Sequence, residues 1–283
     1  MERIGIVTDS TSDLGPERLA SLSVEMVPLK VTFGEESFLD WTDLTPAAFY
    51  EKLGSSPVLP KTSQPSPADF AAVYARLAGQ GFTGIVSVHI SSALSGTIES
   101  AIMAAAEAPI PVRIVDTRSV NMGTGLAVLA AVDARDAGAG LEATEKAAQD
   151  AADSTRIMFA LDTLEYLVKG GRAGKAQGLA ASLLNIKPVL TINKEGTIEP
   201  FKKVKGMKKA IQEMAAQAAE DANGGRIKVG LLHAQAPDLV EELKQALDAS
   251  GTAYEVAGIV SVGAVIGTHA GPRAIGLAYH PVP

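Results

Sequence analysis

Short β-branched runs alternate with stretches of helical periodicity along the first half of the chain. Ile4-Gly5-Ile6-Val7-Thr8 reads as a buried strand ending in the polar turn Asp9-Ser10-Thr11-Ser12-Asp13. A helix follows over about 16–22, with Pro16 suited to its first turn. Met26–Phe33 is apolar enough for one strand, and Gly34-Glu35-Glu36 is a turn candidate. Thr45-Pro46 opens a helix, with threonine as N-cap and proline at the first helical position. Residues 54–67 carry Pro57, Pro60, Pro65 and Pro67 and read as a long loop. Ser66-Pro67-Ala68-Asp69 then predicts a helix to about 78, closed at its start by a capping box. Ile85–Ile90 and Val112–Val115 read as strands, separated by the polar loop Ser91–Gly96 and a helix over about 96–107. Helices are expected over about 119–137 and 141–153. This βαβα order predicts a mainly parallel sheet in a three-layer α/β/α arrangement.

The second half has a different rhythm. Ile157–Leu161 reads as a strand, and Asp162–Lys169 as a helix with Gly170-Gly171 at its C-cap. Pro188–Ile192 and Thr197–Phe201 flank Lys194-Glu195-Gly196 as a hairpin. Helices over about 207–221 and 237–249 alternate with strands at Ile227–Leu232, Tyr254–Val260 and Ala274–Tyr279. A mixed sheet is expected, in an α/β fold divided near residue 155 into domains 1–155 and 156–283. Helices rich in Ala, Leu, Ile and Met over 97–106 and 179–186 suit either core packing or the wall of an apolar tunnel.

Composition narrows the function. The 283 residues include 25 basic and 32 acidic side chains, and the net charge of −7 argues against a general nucleic-acid binder. The absence of cysteine excludes disulfides, thiol nucleophiles and sulfur-ligated zinc. Four histidines leave little room for a multi-histidine metal site, and Asp9 with Asp13 lacks a third ligand at useful spacing. Met1–Ile6 has no basic leader, and the uncharged stretch Val256–Pro272 is broken by glycines. The expectation is a cytoplasmic protein with no stable membrane insertion.

Four polar clusters fall at the carboxyl ends of predicted strands, where parallel α/β sheets bind ligands: Thr8–Asp13, Thr62-Ser63-Gln64, Ser91–Thr97 and Asp116-Thr117. Hydroxyls beside free helix N–H groups make an anion seat, although capping alone also explains them. Ser95 is flanked by Ala93 and Thr97 rather than the glycines of a nucleophile elbow, so hydrogen-bond donation suits it better than attack. His269 lies in Gly267-Thr268-His269-Ala270-Gly271-Pro272, where glycines allow close approach of a ligand; a turn histidine satisfied by backbone is the alternative. His89, within an apolar strand, reads as a packed core residue, and His233 and His280 have no suggestive context. Gly170-Gly171-Arg172-Ala173-Gly174-Lys175 is one residue short of a P-loop and has Ala176 where a hydroxyl is needed, but Arg172 remains a good anion partner. Lys202, Lys203, Lys205, Lys208 and Lys209 form a basic run, either a solvated face or a docking surface for an acidic partner.

Taken in order, these segments resemble the DegV family of bacterial fatty-acid-binding proteins. The resemblance is carried by Thr8–Leu14, Thr62–Pro67, Ile90–Thr97, Asp116–Ser119 with Met122-Gly123, Leu161–Leu167 with Gly170-Gly171-Arg172, and Gly267–Pro272. It implies two α/β domains with one long-chain fatty acid buried between them, and no cofactor. It implies that Thr62 and Ser95 hold the carboxylate, that His269 approaches it, and that Ser63, Gly96 and Thr268 are neighbours. It further implies a non-catalytic carrier. A separate ATP-dependent fatty acid kinase would phosphorylate the bound carboxylate to an acyl phosphate for phospholipid synthesis, with Arg172 facing that kinase. Arg273, Ile98 and Lys205 depart from the family pattern, where glycine, an aromatic residue and arginine are usual. Two other functions compete with the carrier: a lipid-acting serine hydrolase using Ser95 and His269, and a small-anion sensor using the same seat.

Overall fold

The computed structural model describes residues 2–182 and 187–282. The chain opens with β1 (Ile4–Asp9), α1 (Pro16–Ser21) and β2 (Val24–Val27), followed by β3 (Lys30–Phe33) and β4 (Glu36–Leu39). Next come α2 (Pro46–Ser55), β5 (Lys61–Ser63), α3 (Pro67–Gly79), β6 (Gly84–His89), α4 (Thr97–Ala105) and β7 (Val112–Asp116). Helices α5 (Met122–Asp136) and α6 (Leu141–Ser154) lead to β8 (Arg156–Ala160), α7 (Glu165–Lys169), β9 (Lys187–Ile192) and β10 (Ile198–Val204). The chain finishes with α8 (Met207–Ala222), β11 (Arg226–His233), α9 (Pro237–Ala249), β12 (Ala253–Ser261), α10 (Ala264–Ala270) and β13 (Ile275–Val282).

Strands β2-β1-β6-β7 form an all-parallel sheet in that order. Its central strands β1 and β6 are buried along their whole length, as continuous apolar runs covered on both faces should be. The second sheet runs β10-β9-β8-β13-β11-β12; only β11 and β12 pair in parallel, so the expected mixed sheet is present. Helix α5 packs against strands of both sheets, and Ala127, Val128 and Ala131 on its turns are fully buried. It lands on β11 at Gly230, where an added Cβ would come within 2.8 Å of Met122 Cβ.

Three segments depart from the sequence reading. Met26–Phe33 is not one strand: it breaks after Val27 at Pro28, which has no N–H to donate, and β3 then joins a different sheet. Residues 54–67 are not wholly loop, because Lys61–Ser63 pairs antiparallel with β3 in the small sheet β4-β3-β5, opposing Thr62 to Val31. Proline spacing hid a three-residue strand whose signal is too short for period-two alternation. The helix expected from 119 starts at Met122, because Asn121 holds a positive φ of 54°. Two capped starts follow the sequence closely. Thr45 accepts from the Ala48 N–H, and Ser66 and Asp69 form the reciprocal capping box of α3. The proposed tunnel helix 179–186 lies partly outside the described residues.

Candidate functional site

Beyond the carboxyl ends of β1 and β6, and against β8 and α10, lies a cavity. Its wall is largely aliphatic: Leu29, Ile90, Val120, Ile157, Leu161, Leu167, Ile198, Leu232, Val262, Val265 and Ile266, with Phe159 as its aromatic member. Helix α4 does not line it. Ile98, Ala101 and Ala104 turn into the core, while Ile102 and Met103 face outward.

Polar side chains gather at one end. β5 and the residue after it bring Thr62, Ser63 and Gln64; the loop after β6 brings Ser95; the last turn of α10 brings His269; the turn after α7 brings Arg172. Thr62 Oγ1 lies 2.9 Å from His269 Nε2, a hydrogen bond spanning 207 positions of sequence. Ser95 Oγ lies 2.9 Å from Thr97 Oγ1 at the start of α4, whose N-cap residue Gly96 supplies no side-chain acceptor. The first N–H groups of α4 are therefore not capped by a side chain. Gly96 itself sits beside the Gln64 amide, where a Cβ would come within 2.8 Å of Nε2.

His269 has an unusual environment. Its Nδ1 is buried without a hydrogen-bond partner among the described residues. Burial and the nearby Arg172 guanidinium lower its pKa to about 4, so the ring is neutral at pH 7. The ring is seated by Gly170: a Cβ at that position would overlap Nδ1 and stand 2.9 Å from Cε1. Arg172 fastens the surrounding loops. Its Nη1 donates to the Gly170 carbonyl at 3.0 Å and its Nε to the Leu94 carbonyl at 3.3 Å.

Of the residues singled out from sequence, Thr62, Ser63, Ser95, Arg172 and His269 line the cavity. Gly96 and Thr268 do not. Gly96 lines an adjoining surface groove formed by Ser92–Gly96, Gly171, Arg172, Gly174, Thr197 and Ile198. The Thr268 hydroxyl donates to the Ala264 carbonyl at 2.8 Å, back along its own helix. Gln64, the third member of the Thr62-Ser63-Gln64 cluster read from the sequence, also lines the cavity, and Asn121 is a lining residue for which the sequence offered no signal.

The hydrolase arrangement is not assembled. His269 Nε2 is bonded to Thr62, Ser95 to Thr97, and no carboxylate orients His269 Nδ1 among the described residues. A Ser–His–Asp constellation does exist elsewhere. Ser87 Oγ is 2.7 Å from His89 Nε2, and His89 Nδ1 is 3.0 Å from Asp9 Oδ2. All three are fully buried, Ser87 is also bonded to Tyr74, and His89 packs edge-on against Phe70, so this is the core histidine the sequence implied. Lys202 and Lys209 both pair with Glu213, which places part of the basic run in a local ion-pair cluster. No helix among the described residues is long and apolar enough to cross a membrane.

An α/β protein enclosing an aliphatic cavity with a hydroxyl–imidazole cluster at one end belongs to the ligand-binding class. Residues 3–282 match the family described as "Uncharacterised protein, DegV family", and the chain belongs to it. A DegV domain-containing protein from Streptomyces coelicolor is 38% identical over 275 residues, covering 97% of each chain. The structure of a DegV family protein from Thermus thermophilus, described by its fatty acid binding, is 40% identical, with a TM-score of 0.92 over 99% of this chain and 100% of that one. DegV from Bacillus subtilis, described as a fatty acid binding protein, is 30% identical, with a TM-score of 0.89 over the whole of both chains.

Proposed function

We propose that this chain binds one long-chain fatty acid, with its carboxyl group at Thr62, Ser95 and His269 and its chain in the aliphatic cavity. The observation that carries this reading is the segregation of the cavity wall: hydrogen-bonding groups crowd one end, and most of the rest is hydrocarbon. Each buried methylene contributes roughly 0.8 kcal/mol, so the chain supplies most of the affinity and the polar end fixes direction. A small-anion sensor would leave the aliphatic cavity without a purpose. The neutral imidazole can offer an N–H without bringing a second buried charge, while Thr62, Ser95 and Ser63 offer hydroxyl donors. The reading carries with it a division into 1–155 and 156–283, with the ligand between them.

The chain acts as a carrier in this reading, in the cytoplasm, presenting the carboxylate to a separate ATP-dependent kinase that forms an acyl phosphate for phospholipid synthesis. Support comes from Arg172, which borders both the cavity and the outer groove, and from Gly96 and Thr197 on the groove side. The decisive experiment is extraction of the purified, denatured protein into organic solvent, followed by mass spectrometry and titration of the delipidated protein. Stoichiometric fatty acid is expected, and the absence of both bound lipid and binding overturns the reading. Ser95→Ala should weaken binding; ester hydrolysis abolished by the same substitution would instead revive the hydrolase. Acyl phosphate formation with ATP only when both carrier and kinase are present tests the partner.

A further inference from the structure

We propose that Asn121 is a specificity residue of this cavity, placing an amide against the middle of the bound acyl chain and favouring chains that carry a hydroxyl there. The inference rests on the fatty-acid reading. Away from the polar end, Asn121 is the only polar side chain on the wall among the described residues; Val120, Leu232 and Val262 are other members of that wall. An amide facing hydrocarbon is costly, because its unused hydrogen-bonding capacity has lost water.

The residue is also held in a conformation that asparagine does not adopt freely. Its φ of 54° and ψ of −134° lie outside the ordinary regions for a side-chain-bearing residue, and such strain persists only where the surroundings enforce it. They do so here. The Asn121 N–H donates to the Thr11 carbonyl at 2.9 Å, Oδ1 accepts from the Met122 N–H at 2.6 Å, and Nδ2 donates to buried Asp13. Met122 and Asp13 fix which end of the amide is oxygen and which is nitrogen. One N–H of Nδ2 and one lone pair of Oδ1 remain beyond these partners.

Helix α10 measures the depth. Asp13, the partner of Asn121, also accepts from the Gly263 N–H at 3.0 Å at the start of α10, and His269 stands six residues further on. The six residues from Gly263 to His269 span about 9 Å along the helix axis. In this proposal the carboxyl sits at the His269 end of α10 and the mid-chain carbons lie beside Asn121, which is tied to the opposite end of the helix through Asp13. A saturated chain leaves the spare N–H and lone pair unpaired. A hydroxyl can both donate and accept, whereas an alkene offers only a weak π acceptor.

The test is competition binding of stearic acid and its 3-, 10- and 17-hydroxy derivatives to the delipidated full chain. The 10-hydroxy acid should bind about tenfold more tightly than the 3- and 17-hydroxy isomers, the effect of one buried hydrogen bond. In Asn121→Gly, which tolerates the positive φ, that ratio should collapse towards unity. Equal binding of the three isomers to the native protein overturns the proposal, as does a ratio preserved in Asn121→Gly. The isomer comparison decides the matter even where the variant does not fold. Failure of stearic acid itself to bind would instead overturn the fatty-acid reading.

Discussion

Gly170→Ala probes the site through a residue with no functional group. The backbone at 170 is ordinary, with φ −75° and ψ −8°, so alanine meets no conformational barrier there. Its Cβ, however, would overlap His269 Nδ1 and stand 2.9 Å from both Cε1 and the Tyr166 carbonyl oxygen. The carbonyl belongs to the helix, so the imidazole is the group that must yield. A displacement of roughly an ångström is enough to turn overlap into contact, and it stretches the 2.9 Å bond to Thr62 past useful length. Overpacking costs about 1–3 kcal/mol of stability, and the lost hydrogen bond about 1 kcal/mol of head-group binding. Fatty-acid affinity should fall about five- to tenfold. Gly178→Ala is the control, since a Cβ there meets open space while the unfolded-chain effect of the substitution is the same. Competition against a fluorescent fatty acid reads affinity, and the imidazole resonances of His269 read ring position. Native affinity with unshifted resonances in Gly170→Ala would refute the reasoning.

Thr62→Val should keep the fold, since a β-branched residue suits the pairing with Val31, yet weaken fatty-acid binding about fivefold by leaving His269 Nε2 without its partner; the same competition assay measures it. The lowered pKa of His269 favours the neutral folded form, so its stability contribution is full above about 6.5 and drains as pH falls towards 4. The loss is about 3 kcal/mol, and His269→Gln should flatten the acid limb of melting temperature against pH. Asp40 behaves in the opposite sense. Burial raises its pKa to about 7, so its contribution is present below the ordinary carboxyl value and drains as pH rises through 7. Asp40→Asn, which keeps an oxygen for the Ala264 N–H, should reduce the fall in melting temperature between pH 5 and 8.

Local signals in the sequence were strong where one element suffices. The Thr45 and Ser66 caps, the Asn193–Thr197 hairpin loop and the buried strands β1 and β6 each follow from neighbouring residues. The site was legible as types of residue but not as partners. Thr62 and His269 meet only because β5 joins β3 and α10 turns its last residues towards it, and no local pattern encodes a contact 207 positions apart. Thr268 shows the converse. It lies beside His269 in sequence, but the helix turns its hydroxyl back to Ala264 and away from the cavity. Asn121 was invisible because its importance comes from a positive φ and a buried carboxylate 108 positions away, neither of which composition or periodicity reports.

Two histidines show how the fold separates support from recognition. His89 has both ring nitrogens engaged, by Ser87 and Asp9, and it completes a closed polar chain that runs on to Tyr74 and Thr11. A fully satisfied network in the core fixes the register of β1 against β6 and has nothing left to offer a ligand. Among the described residues, His269 has one nitrogen engaged and one without a partner, beside the aliphatic cavity. An unpaired buried group alone is not sufficient to mark a site, since Tyr50 Oη and Asp40 Oδ2 are also unpaired and neither lines the cavity. What singles out His269 is the conjunction of unused hydrogen-bonding capacity with access to enclosed space. Asn121 shares the cavity wall with it, its amide held by Asp13 and Met122.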